Sequence, residues 1–151
     1  MTRLRVHAVV GAIALLLGVP AGALERPESA DVTQNYLLYC GGCHGLEGAG
    51  VPHKVPALRG GLGRLLRADG GRELLLRFPG VANSALSDAA LADVMNWCVE
   101  KFAGTERPEG LRPFVAAEVR AARASPLLNI RRARRELLGR LGAQPSEAAD
   151  Y

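Results

Sequence analysis

The sequence of 151 residues lacks most of the patterns that identify an enzyme. It has no Ser-His-Asp set, no glycine-rich phosphate loop and no cluster of metal-binding residues. No segment alternates polar and apolar residues over the length of a strand, and this absence predicts an all-α protein. Sulfur is scarce, because the chain contains only three cysteines and two methionines. Any chemistry that needs sulfur is therefore restricted to very few positions.

Apolar segments long enough to span a membrane are also missing. The apolar run at residues 8–19 follows Arg3 and Arg5 and precedes Ala21-Gly22-Ala23, an A-x-A pattern typical of a cleavage site. We therefore expect a secretory signal peptide over residues 1–23, cleaved near Ala23. The mature protein is expected to be periplasmic, without stable insertion in a membrane.

The rest of the chain divides by charge. Residues 24–106 carry eight Lys and Arg against ten Asp and Glu, a net charge of −2. Residues 107–151 carry nine Arg against five acidic residues, a net charge of +4. We interpret the second part as an arginine-rich helical extension whose charges form a solvated helix face or, as the alternative, a docking surface for an acidic partner. Nucleic acid is not an expected partner, because an exported protein rarely meets it.

Helical periodicity is clearest over residues 88–102. Ser87 and Asp88 are typical of a helix start, Gly104 is typical of a helix end, and one apolar stripe lies between them. The stripe consists of Leu91, Val94, Met95, Cys98 and Phe102, with Trp97 on its flank. Further helices are predicted over residues 32–39, 62–68, 72–78, 114–123 and 127–141, and a loop is predicted over residues 81–86.

The stretch Tyr39-Cys40-Gly41-Gly42-Cys43-His44-Gly45 places two of the three cysteines in a C-x-x-C-H motif. A structural zinc site would need four ligands, and a second C-x-x-C pair is absent. A thioredoxin-like dithiol would follow a strand, whereas the surroundings are predicted to be helical. Covalent haem attachment is the favoured interpretation, because thiols three positions apart can bond to the two vinyl groups of one haem. A haem would also fill the centre of the glycine-rich region 41–86, which has few large apolar residues.

Residues 31–103 resemble a class I cytochrome c domain of the small bacterial kind. The resemblance rests on Tyr36, four residues before the first motif cysteine, on CGGCHGLEGAG, on Val55-Pro56-Ala57-Leu58 and on the helix LSDAALADVMNWCVEKF. It implies that the first and last helices cross, with Trp97 contacting the first helix. It also implies the roles of four site residues: Cys40 and Cys43 form the thioethers, His44 is the proximal iron ligand, and the Pro56 carbonyl accepts a hydrogen bond from the His44 ring.

The sequence departs from this family at the sixth iron ligand. Class I cytochromes c usually supply a methionine from the loop before the last helix, and residues 79–86 contain neither methionine nor histidine. Met95 is the only methionine expected in the mature chain and is a possible sixth ligand, although a methionine on an apolar helix stripe more often fills a core. His53 is a less favoured candidate, and the favoured interpretation is an open sixth position. Cys98 is expected to be a buried, inert thiol.

The expected function is that of a monohaem electron carrier with one covalent haem c and no catalytic residues. It would exchange single electrons with redox protein partners, such as a dehydrogenase or an oxidase. The expected parts are the signal peptide (1–23), a cytochrome c domain (24–106) and the extension (107–151). Two alternatives stay open. One is a haem enzyme or ligand sensor whose open sixth position takes peroxide, oxygen or nitric oxide, and the other is a haem subunit of a larger redox complex.

Overall fold

A computed structural model describes residues 31–125 and 127–140 of the chain. The predicted signal peptide, residues 1–23, lies outside the described residues, as does residue 141, where the last predicted helix was expected to end. Within the described ranges there is no strand, and an isolated antiparallel bridge pairs Val51 with Val55. The predicted all-α fold class is therefore confirmed. None of the described helices is both long and apolar enough to cross a membrane.

The helices of the described residues are short, apart from one. In chain order they are α1 (Val32–Tyr36), α2 (Gly42–His44), α3 (Leu62–Arg67), α4 (Gly71–Arg77), α5 (Pro79–Ala82), α6 (Asp88–Phe102), α7 (Ala116–Arg123) and α8 (Ile130–Arg140). A π-helical turn, Leu37–Gly41, joins α1 to α2, and a 3-10 turn, Gly104–Glu106, follows α6.

The segment from α1 to α2 is one continuous helical stretch that carries the C-x-x-C-H motif. It begins at Asp31, whose side chain accepts a hydrogen bond from the Thr33 backbone N–H at 3.0 Å. The sequence predicts that this helix ends near residue 39, but the helical conformation continues to residue 44. Gly41 and Gly42 do not end it, because both adopt ordinary right-handed helical angles. The helix ends at Gly45, whose φ of 74° lies in the left-handed region that favours glycine.

Helix α6 is the centre of the hydrophobic core. Its start is capped as predicted, since the Ser87 hydroxyl accepts a hydrogen bond from the Ala90 N–H at 3.2 Å. All five residues of the predicted apolar stripe are buried. The predicted bounds, 88–102, and the orientation of the stripe are both confirmed.

Three aromatic rings lie where α6 crosses α1. The fully buried ring of Tyr36 has its centre 4.8 Å from that of Trp97 and 5.5 Å from that of Phe102. Trp97 and Phe102 meet edge to face at 5.6 Å. Such pairs contribute roughly 0.5–1.5 kcal/mol each beyond the burial of their area. The predicted contact between Trp97 and the first helix is confirmed.

Side-chain hydrogen bonds explain why two helices start later than their apolar periodicity predicts. The Asn96 side chain on α6 accepts from the Phe114 N–H at 2.7 Å and donates to the Phe114 carbonyl at 3.0 Å. These bonds hold the Phe114 backbone against α6, Val115 is extended, and α7 starts at Ala116. Helix α8 starts at Ile130, because the Asn129 side chain accepts from the N–H three residues further on.

The predicted loop at 81–86 is partly helical. Helix α5 covers residues 79–82 and has Pro79 at its first position, where a fixed φ favours a helix and the missing N–H costs no hydrogen bond. The remaining residues, 83–86, connect α5 to the cap of α6 without regular structure.

The first part of the extension belongs to the same hydrophobic core as the preceding helices. Phe114 and Val119 are buried in one cluster with the α6 stripe. Arg72 on α4 pairs with the Glu118 carboxylate through hydrogen bonds of 2.9 and 2.7 Å, and its guanidinium lies 4.0 Å from the centre of the Phe114 ring. The hydrogen bonds from Arg72 hold the pKa of Glu118 below its usual range. The boundary between the cytochrome c domain and the extension, at residues 106 and 107, stays a prediction. The contacts described here join residues on the two sides of it.

Helix α8 is attached less extensively. Leu137 is buried against the two glycines that precede and begin α4, whereas Arg131, Arg132 and Arg135 are exposed. Arg132 also pairs with Glu136 on the same helix, at 2.7 Å. Both interpretations of the basic helix, a solvated face and a docking surface, stay open.

Candidate haem site

The motif side chains lie on one continuous helical segment. Cys40 lies in the π-helical turn, and Cys43 and His44 lie in α2. Residues three or four positions apart on a helical segment are neighbours, so Cys40 lies next to both Cys43 and His44. The thiols are free, with Cys43 exposed and Cys40 half-buried.

The His44 ring is held by a backbone oxygen. Its Nδ1 lies 3.0 Å from the carbonyl oxygen of Pro56, the pair that the family resemblance implies. Because a carbonyl can only accept, Nδ1 carries the hydrogen, and Nε2 keeps a free lone pair. Burial lowers the pKa of His44, and the hydrogen bond to Pro56 opposes this effect only in part. The ring is therefore neutral at neutral pH, which is the form that binds a metal.

The loop after α2 folds back so that Pro56 reaches His44. The Gly50 N–H donates to the His44 carbonyl at 2.9 Å, and Gly50 has a φ of 67°. A Cβ atom at this position would lie 2.7 Å from the Pro56 carbonyl oxygen, so glycine permits an approach that other residues would block. The Gly48 carbonyl accepts from the Leu58 N–H at 2.8 Å and anchors the far end of the loop.

The two other interpretations of the motif find no support at this site. Burial raises the pKa of the Cys40 thiol, and the nearby Cys43 raises it further. A redox-active C-x-x-C pair needs the opposite shift, because the thiolate is the reactive form. Among the residues that the structure describes, no group of three or more His, Cys, Asp and Glu side chains could hold a metal ion.

The candidates for a sixth iron ligand lie in different environments. Met95 is 5% exposed and belongs to the core cluster on α6. His53 is exposed in the turn between Val51 and Val55, with a φ of 59°.

From the sequence, Cys98 is expected to be a buried, inert thiol. Burial, and then the proximity of Cys40, raises the pKa of Cys98 far above its usual range, so this thiol stays protonated.

The residues present fit a covalent haem. The two free thiols have the spacing for thioether bonds, and Nε2 of His44 is the nitrogen that would face the iron. Large apolar side chains next to the motif are exposed, including Leu37 (45%) and Leu46 (66%). Apolar surface of this kind is often covered by a ligand or partner. A haem held at the motif would supply such a cover.

An all-α fold, a C-x-x-C-H motif on a helical segment and a proline carbonyl bound to the motif histidine together define a c-type cytochrome. Comparison with known proteins agrees, although no family model matches the chain. A cytochrome c-552 of Thermus thermophilus is 31% identical in an alignment that covers 75% of this chain and 84% of the relative. A second Thermus thermophilus cytochrome c-552 is 31% identical in an alignment that covers 58% of this chain and 81% of that relative. The chain belongs to the c-type cytochrome family that includes the cytochromes c-552. Membership implies covalently bound haem c and electron exchange with redox partners.

Sequence reasoning missed two contacts of functional interest. It identified Tyr36 only as an aromatic residue of the first helix, whereas the Tyr36 hydroxyl also donates to the Gly45 carbonyl at 2.6 Å. It counted Arg123 only as one of the basic residues of the extension, whereas the Arg123 guanidinium donates hydrogen bonds to backbone carbonyls of the segment before α6. The acceptors in both cases are mostly backbone carbonyls, which every residue type carries, so no sequence pattern could have revealed them.

Proposed function

We propose that the protein is an exported monohaem cytochrome c that carries single electrons between redox proteins. Cys40 and Cys43 hold the haem through thioether bonds, and His44 binds the iron through Nε2. The main support is the 3.0 Å contact between His44 Nδ1 and the Pro56 carbonyl, because it selects the tautomer that a metal needs. When bound, the haem supplies an iron centre that gains or loses one electron.

The residues around His44 determine how strongly its imidazole would donate electron density to the iron. The Pro56 carbonyl attracts the Nδ1 proton and so increases electron density at Nε2, which favours ferric iron. Burial keeps the ring neutral. The motif segment is supported by α6, which crosses it at the aromatic cluster of Tyr36, Trp97 and Phe102. This rigid support is what an electron carrier requires, because little reorganisation should accompany each transfer.

The exported protein is expected to contain one covalent haem per chain and to titrate in a single one-electron step. Haem measured as the pyridine haemochrome, divided by protein from amino-acid analysis, gives the ratio, and mass spectrometry locates the cleavage near Ala23. Potentiometric titration gives the number of electrons. A ratio other than one, or haem that acid acetone extracts, would contradict the proposal.

A second candidate function is a haem enzyme or ligand sensor with an open sixth position. It is favoured by the segment 79–86, which has no methionine or histidine, and by the burial of Met95 within the α6 stripe. A side chain held in the middle of a packed helix is poorly placed to serve as a ligand, whereas ligand methionines usually come from loops.

We expect Met95 to be core filler and the sixth position to be open. The oxidised protein should then lack the weak far-red band of sulfur bound to ferric haem, and the reduced protein should bind carbon monoxide. Met95→Leu conserves volume and should cost less than about 1.5 kcal/mol of stability while leaving the spectrum unchanged. A wild-type sulfur band that disappears in Met95→Leu would instead identify Met95 as the ligand of an ordinary electron carrier.

A further inference from the structure

The Tyr36 hydroxyl lies in an unusual position relative to the candidate iron ligand. It donates a short hydrogen bond, 2.6 Å, to the carbonyl of Gly45, the residue directly after His44. Tyr36 is fully buried, and burial is the main cause that raises its pKa to about 12. The hydroxyl is therefore a neutral donor at neutral pH, and its bond to Gly45 is partly buried.

Several hydrogen bonds fix the backbone around His44. The His44 carbonyl accepts from the Gly50 N–H at 2.9 Å, and the Gly45 N–H donates to the Gly41 carbonyl at 2.8 Å. The Gly45 carbonyl accepts a short bond from the Tyr36 hydroxyl, 2.6 Å, and a longer one from the Gly48 N–H, 3.3 Å. Gly45 ends α2 with a φ of 74°, which glycine adopts without steric cost. The conformation of Gly45 itself therefore does not hold its carbonyl in this orientation, and the shorter of the two hydrogen bonds to that carbonyl comes from the Tyr36 hydroxyl.

The Tyr36 ring is itself held rigidly. It packs against both Trp97 and Phe102 of α6, with ring centres 4.8 and 5.5 Å away. The same Phe102 ring supports the loop further on, because a Cβ atom on Gly48 would lie 2.8 Å from it. The Gly48 carbonyl then accepts from the Leu58 N–H, two residues after Pro56. One aromatic cluster thus positions both partners of the hydrogen bond between His44 and Pro56.

We propose that Tyr36 is a positioning residue for His44: its hydroxyl holds the Gly45 peptide, and thereby maintains the hydrogen bond between His44 Nδ1 and the Pro56 carbonyl, which sets the reduction potential. This inference rests on the proposed role of His44 as iron ligand. When the hydrogen bond from Nδ1–H to the Pro56 carbonyl is firmly held, the imidazole donates more electron density to the iron, and this favours ferric iron. Loss of the hydroxyl therefore raises the potential.

The test uses the full-length, haem-loaded protein and two variants that each lose one hydroxyl. Tyr36→Phe keeps the ring in the aromatic cluster, and Tyr39→Phe is the control, since Tyr39 is partly exposed on the same helical segment. We expect Tyr36→Phe to shift the reduction potential to a more positive value. Exchange of the His44 Nδ1 proton, followed by NMR, should become about fivefold faster, the factor expected for loss of one hydrogen bond. Tyr39→Phe should change neither quantity.

A second replacement at position 36 covers the case in which Tyr36→Phe yields no haem-loaded protein. Placing 3-fluorotyrosine at position 36 makes the hydroxyl a stronger donor and should shift the potential in the opposite direction. Potentials equal to wild type in every variant obtained, with only thermal stability altered, would overturn the inference and leave Tyr36 as core packing. Failure of the proposed function would give a different result, because it would already appear in the wild type. The wild-type protein would then lack covalent haem, or its NMR spectrum would lack the signal of an iron-bound His44.

Discussion

Replacing both Cys40 and Cys43 with serine is expected to abolish covalent haem attachment. Thioether bonds form by addition of thiols to the haem vinyl groups, and a serine hydroxyl, although similar in size, does not add to them. Both thiols are free and lie on one helical segment that ends in the candidate ligand His44. The exported double variant should therefore show no haem that resists acid acetone. Haem staining of a denaturing gel, normalised to an immunoblot of the same chain, measures this loss.

Cys98→Ala is the matched control for this experiment. It removes the third cysteine, which is buried in α6 rather than placed on the motif segment. This variant should keep its covalent haem, with at most a modest loss of stability from the small cavity. Normal pigment in the double serine variant, or its loss in Cys98→Ala, would show that the motif is not the attachment site.

Arg123→Ala is expected to lower the free energy of unfolding by about 3 kcal/mol. The Arg123 guanidinium donates to the backbone carbonyls of Ala82, Ser84 and Leu86 at 2.9–3.0 Å, and it pairs with Asp88 at 2.6 Å. Hydrogen bonds from a charged donor are stronger than neutral ones, and these are only partly accessible to water. Without the guanidinium, the segment from α5 to the cap of α6 loses its main restraint.

Arg120→Ala is a suitable control, because Arg120 also contacts Asp88 but its side chain is 77% exposed. An exposed ion pair of this kind should contribute less than about 1 kcal/mol. Urea unfolding followed by circular dichroism gives both values under the same conditions. In addition, the amide protons of residues 82–86 should exchange faster in Arg123→Ala than in Arg120→Ala. Equal effects of the two variants on stability and exchange would contradict this role of Arg123.

The arginines of the extension have two different roles, which the composition of the extension does not distinguish. Part of it, through Arg123 and through the pair of Arg72 and Glu118, is joined to the core. Another part, in α8, exposes arginines to solvent. The difference depends on which arginines find acceptors on other helices, and this can be seen only once the helices are packed.

The sequence by itself determined the features that depend on neighbouring residues. The C-x-x-C-H motif requires five consecutive positions, and its chemistry follows from their spacing. Helix α6 was predictable in full, because the Ser87 cap and the stripe from Leu91 to Phe102 are local patterns with a period of 3.6 residues. The contact of Trp97 with the first helix followed from the family resemblance.

Only the tertiary structure decided the features that join distant residues. Arg123 meets its acceptors 35–41 positions earlier in the chain, and Arg72 meets Glu118 46 positions later. The extent of the motif helix past Gly41 and Gly42, the late start of α7 after Asn96 binds Phe114, and the bond from Tyr36 to Gly45 depend likewise on packing. Sequence patterns record the period of side chains along one element. They do not record where a long side chain will find a backbone carbonyl, because that carbonyl is the same for every residue type and its position is set by the fold.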